Sequence, residues 1–180
     1  TLLKCEEPAV LVESLNGYRL KESEPENLSN YTVLLGQSEI INEGQDITIV
    51  SYGSTLRLVE KASEELEKLN ISCEVIDVQT LIPFDLNDLI IKSLTKTNKL
   101  LIVDEDLPGG ASSYILQKIL QEKSGFEQLD STPITLTSKN HRPAYGSDGD
   151  YFSKPSIDDI IEKAYGIMNE YDPKNYQDLI

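Results

Sequence analysis

The chain has 180 residues, 39% hydrophobic and 26% charged, enough for one domain with a real core and a short appended segment but tight for two. Its formal net charge of −15, from 16 Lys and Arg against 31 Asp and Glu, argues against nucleic-acid binding, which needs basic clusters to neutralise phosphates, and favours a basic protein partner. No apolar run approaches the roughly 20 residues of a membrane helix, and Cys5 and Cys73 lack the number and spacing of a disulfide framework or a zinc site, so no membrane span is expected and a reducing cytoplasm is the simplest setting.

The chain opens on Thr1 without an initiating Met or a signal-peptide pattern, which reads as a boundary inside a longer polypeptide. Residues 9–13, Ala-Val-Leu-Val-Glu, form an apolar run that predicts a strand, followed by a polar linker to Asn30. A second extended run covers residues 31–41 and stops at a Gly- and Asx-rich turn around Gly44. From there the pattern becomes regular. Residues 47–52 predict a buried strand, and Ser54 is positioned to cap a helix whose apolar face is Leu56, Val59, Ala62, Leu66 and Leu69, with Glu64 and Lys68 as a favourable i,i+4 pair.

The unit then repeats in kind. A strand is expected over residues 73–78, a helix from about Asp85 to Lys96, a strand over 99–104, a helix from about Ala111 to Lys123, and a strand over 133–137. Strands alternating with helices imply right-handed crossovers and a three-layer α/β/α architecture around a mostly parallel sheet of about five strands. A polar loop over residues 138–154 precedes a last helix, in which Ser156 and Asp159 have capping-box spacing and Ile157, Ile160, Ile161, Ala164 and Met168 form the apolar stripe. The polar tail from Tyr171 onward is expected to fray.

Few residues signal chemistry. Gly109-Gly110, between a strand and a helix, has the placement of a backbone anion site, but Asp104, Glu105 and Asp106 just before it would repel a phosphate, and a tight turn explains the glycines as well. Asp148-Gly149-Asp150 lacks the Gly and Glu that a calcium loop needs at its later positions, so it reads as a turn. His141, the single histidine, lies in a polar loop where it is a candidate proton carrier or a solvated side chain. The common self-contained motifs for hydrolysis, metalloprotease chemistry or nucleotide binding are missing from the sequence.

Three runs in order, Asp46 to Ser54 (DITIVSYGS), Ile71 to Asp85 (ISCEVIDVQTLIPFD) and Leu101 to Glu105 (LIVDE), resemble the transketolase-like C-terminal domain in the beta-type region of thiamine-diphosphate-dependent 2-oxo acid dehydrogenases. Upstream, Glu7 to Glu13 resembles the last strand of that family's pyrimidine-binding domain, and the similarity spans about residues 5 to 170. The resemblance implies three regions: residues 1–30 as the end of the pyrimidine-binding domain and a linker, 31–170 as the C-terminal domain, and 171–180 as a tail. It implies thiamine diphosphate and Mg in the full-length enzyme, neither held by this fragment, because the activating Glu and the metal motif lie in other domains.

The same resemblance implies an alpha-type partner region, separate or fused, a lipoyl acyltransferase core as docking partner, and homo-oligomeric pairing. With the acidic charge it makes Asp104, Glu105, Asp106, Asp148 and Asp150 candidates for docking a basic domain of the acyltransferase, and Gly109, Gly110 and Tyr114 candidates for the subunit contact. The loop over residues 140–154 and the tail depart from the commonest beta-type pattern and look closer to fused variants. Transketolase and deoxyxylulose phosphate synthase share the domain. A stand-alone α/β binding module is disfavoured because the strand over residues 47–52 carries neither a phospho-receiver's acidic pair nor a flavodoxin's phosphate loop.

Overall fold

The structure is a computed structural model that describes residues 1–21, 23–24, 26–27, 31–142, 145 and 149–177, apart from the Asn16 side chain. Five strands form one sheet: β1 (Glu39–Asn42), β2 (Ile47–Ser51), β3 (Cys73–Asp77), β4 (Leu100–Val103) and β5 (Ile134–Leu136), in the order β1-β3-β2-β4-β5. β2 runs parallel to both β3 and β4, β4 is parallel to β5, and only β1 is antiparallel, pairing with β3. Helices α1 (Leu56–Lys68), α2 (Leu89–Thr97), α3 (Ala111–Gln117), α4 (Gly149–Ser153) and α5 (Ile157–Tyr171) complete the order.

Strands covered on both faces have no polar side to show, which is why every residue of β2 and β4 is buried. One core places α1 and α5 on the sheet through Val59, Leu66, Ile160 and Ile167 against Ile47, Ile49, Leu101 and Val103. The other places α2, α3 and the turn just after α3 on the opposite face through Ile90, Leu94, Ile115 and Ile119 against Val50, Ile76, Leu100 and Ile102. Fully burying a side chain of this size contributes roughly 1.5–3 kcal/mol, so the alternating sides of successive β2 residues decide which helix packs where. Thr48, a polar side chain in the middle of β2, is satisfied: its hydroxyl lies 2.6 Å from the Ser93 hydroxyl and 2.6 Å from that of Thr97, both on α2.

The expected fold class is what forms, with local departures. The run over residues 9–13 makes no strand, because no described strand lies beside it to take its hydrogen bonds. α2 starts at Leu89 rather than near Asp85: the backbone at Asp85 and Asp88 is left-handed (φ 41° and 52°), and the buried Asp85 carboxylate instead accepts the Leu89 and Ile90 N–H groups at 3.1 and 3.2 Å. After α3 the chain continues as a π turn over Lys118–Glu122. The loop before α5 contains the short helix α4, and Lys68 bonds Glu65 at 2.7 Å rather than Glu64.

Residues 172–177, in the tail expected to fray, fold back on α5. The Asn169 amide donates to the Tyr176 carbonyl at 2.5 Å, and Tyr176 meets Tyr165 edge to face at 5.9 Å. The Ser156–Asp159 capping box is formed in both directions, with Asp159 N–H donating to Ser156 Oγ at 3.2 Å and Ser156 N–H donating to the Asp159 carboxylate at 2.9 Å.

Candidate functional site

The connection after β2 (α1) lies on one face of the sheet and the connection after β4 (α3) on the other, although β2 and β4 are neighbours. Adjacent parallel strands whose following helices diverge leave a crevice at their C-terminal ends, the usual ligand position in open α/β sheets. Here the crevice is bordered by Ser51 to Thr55 after β2 and by Asp104 to Asp106 after β4.

The two borders are tied together by hydrogen bonds. Ser51 Oγ donates to the Val103 carbonyl at 3.0 Å and lies 2.9 Å from Thr55 Oγ1. Tyr52 donates its hydroxyl to Asp104 at 2.8 Å, and the same carboxylate accepts the Asp106 N–H at 3.0 Å and the Ser112 N–H at 2.9 Å. Burial, then the bonded Asp104 carboxylate, pushes the Tyr52 hydroxyl well above the ordinary tyrosine range, so it serves as a donor and not as a base.

This arrangement corrects the reading of Asp104 as a docking charge: it is 1% exposed, and its carboxylate is an internal acceptor that fastens β2, the following turn and the start of α3. It also gives Gly109-Gly110 a local reason to be glycine. Gly109 has φ 93°, and a Cβ on Gly110 would lie 2.2 Å from the Asp106 carboxylate, so the pair makes a tight turn, while the chain's own Asp104 occupies the start of α3. Tyr114 is half-buried, meeting Phe84 edge to face at 6.2 Å with Lys118 5.4 Å above its ring.

Glu105, Asp106 and Asp150 are exposed. Lys154 bridges two of them, at 3.2 Å from Glu105 and 3.9 Å from Asp150. Asp148 lies outside the described residues. His141 is exposed, with Nδ1 2.9 Å from the Arg142 carbonyl, and among the described residues no group of three His, Cys, Asp or Glu could hold a metal ion. Burial pushes the Cys73 thiol up to about 12, which leaves it protonated and inert as a nucleophile at neutral pH.

Beside the crevice, between α1 and the α4–α5 junction, lies a cleft of about 710 Å³. Arg57, Leu58 and Lys61 of α1 form one wall, Tyr151, Pro155 and Ile157 the other, and Ser14, Gly17 and Leu20 from the N-terminal segment border it. Of the cleft's residues, sequence patterning marked Ser54 and Ser156 as helix caps, Ile157 as part of an apolar stripe, and Glu105 and Asp150 as charges, without bringing them together. Arg57 and Lys61, four residues apart and off the apolar stripe of α1, could have been picked out as a charged face, whereas the opposite wall comes from residues about a hundred positions away, and nothing local pairs it with α1.

Residues 36–156 match the family model described as the transketolase C-terminal domain. Among curated proteins, the chain is 34% identical over 166 residues to the pyruvate dehydrogenase E1 component subunit beta of Mesostigma viride, covering 92% of this chain and 50% of that protein. It is 34% identical over 142 residues to the 2-oxoisovalerate dehydrogenase subunit beta of Bacillus subtilis (79% and 42% covered). A third relative, the acetoin:2,6-dichlorophenolindophenol oxidoreductase subunit beta of the same organism, is 34% identical over 137 residues (76% and 39%). The chain thus spans about half the length, or less, of the curated relatives it matches. Among solved structures, a split-gene transketolase crystallised as an inactive beta4 tetramer superposes with a TM-score of 0.64 at 20% identity, over 78% of this chain and 44% of that one, which is a likeness of fold.

Proposed function

The chain belongs to the transketolase C-terminal domain family, and from that premise we propose that it is the C-terminal domain of the decarboxylating component of a 2-oxo acid dehydrogenase complex. The observation that carries this reading is the similarity to beta subunits of 2-oxo acid dehydrogenases and an acetoin oxidoreductase, which for the pyruvate dehydrogenase subunit covers 92% of the chain and so reaches into the segment before the domain. Residues 1–30 are then the end of the pyrimidine-binding domain and a linker, and 31–170 the C-terminal domain.

The whole enzyme would oxidatively decarboxylate a 2-oxo acid and pass the acyl group to lipoyl, with thiamine diphosphate and Mg supplying the carbanion chemistry. The residues described here do not fit that group. The acidic side chains nearest the crevice are committed, Asp104 to backbone N–H groups and Tyr52, Glu105 and Asp150 to Lys154. In this reading the cofactor is held by regions outside the chain, including an alpha-type region.

The domain's own part is association. Glu105, Asp106 and Asp150 keep exposed carboxylates on one end of the sheet, suited to docking a basic domain of the acyltransferase core, where opposite charges raise the on-rate and select the partner. The turn at Gly109-Gly110 and the half-exposed Tyr114 are the first candidates for pairing two copies, as closed symmetric dimers are the common arrangement.

The test is a decarboxylation assay of the full-length enzyme with thiamine diphosphate, Mg and a series of 2-oxo acids. Release of CO₂ from pyruvate or a branched-chain 2-oxo acid is expected; ketol transfer between sugar phosphates without 2-oxo acid turnover would overturn the reading. Binding to the acyltransferase's basic domain should weaken strongly between about 50 and about 500 mM salt, where the Debye length falls below roughly 5 Å, and charge reversal at Glu105, Asp106 and Asp150 together should have the same effect.

A further inference from the structure

We draw no further inference here: the strongest candidate, the cleft between α1 and the α4–α5 junction, has its cations Arg57, Lys61 and Lys154 matched by the carboxylates of Glu105, Asp150 and Asp158, and nothing in the structure shows what would occupy it.

Discussion

Val10, Leu11 and Val12 are 89, 67 and 88% exposed, whereas Leu100, Leu101, Ile102 and Val103, a run of the same apolar character, are all at 0%. Both runs have the composition of a buried parallel strand. The second became β4 because β2 and β5 supply hydrogen bonds along its two edges, and because α2, α3, α1 and α5 cover its faces. The first lies between two short 3-10 turns, Leu2–Lys4 and Leu15–Arg19, and finds no strand beside it among the described residues. A hydrophobic run thus states a demand for burial. Whether the demand is met depends on surfaces elsewhere in the chain, or in the remainder of a longer protein.

The largest expected effect tests that contrast at its two ends. Leu101→Ala, at a fully buried position in contact with the α1–α5 core, should lower the unfolding free energy by about 3 kcal/mol. Val12→Ala should change it by less than about 0.5 kcal/mol, because the side chain is already in water. Chemical denaturation of the two variants measures both. Comparable losses would mean that the N-terminal segment is packed as tightly as the sheet, and the contrast would break.

A smaller effect sharpens the comparison by asking what secures the ends of elements rather than their middles. Ser156 supplies one half of the capping box on α5, while the turn over Leu15–Arg19 has no side-chain cap at all. Ser156→Ala should therefore cost about 1 kcal/mol, with early fraying of α5 visible as faster amide exchange at Asp159, whose N–H donates to the Ser156 hydroxyl. An unchanged melting curve would show that packing of Ile160 and Ile167 alone holds the helix start.

The smallest effect concerns charge inside the sheet domain. Burial raises the Asp77 carboxyl above its ordinary 3.8, with the Gln79 N–H pulling against it and Glu39 and Glu60 adding to the rise. A raised folded-state value means that the folded protein holds this proton more tightly than the unfolded chain. The associated stability is complete below the unfolded value and is lost as pH rises through the folded one. Asp77→Asn removes the loss, so the variant should gain on the parent as pH rises from about 4 to about 7. Thermal melts across that range check the sign; a gap that narrows with rising pH would contradict it.

Much of the sheet domain was legible in the sequence because its signals are local. Period-two and continuous apolar runs marked β2 to β5, a stripe at helical spacing marked α1 and α5, and Ser156 with Asp159 announced a helix start three residues apart. Even the order of elements followed, since alternation of strand and helix leaves few topologies open.

The rest depended on what the fold brings together. Asp104, Glu105 and Asp106 look alike in sequence, yet the turn of the backbone after β4 sends the first carboxylate inward to Tyr52 and Ser112 and leaves the other two in solvent. The cleft joins Arg57 and Lys61 to Tyr151 and Ile157, about a hundred residues apart, through the packing of α1 against α5. Local pattern therefore determined which segments fold and which residues they bury in common. Only the tertiary structure decided which charges face water and where a ligand could lie, because solvation and proximity are set by neighbours distant in the chain.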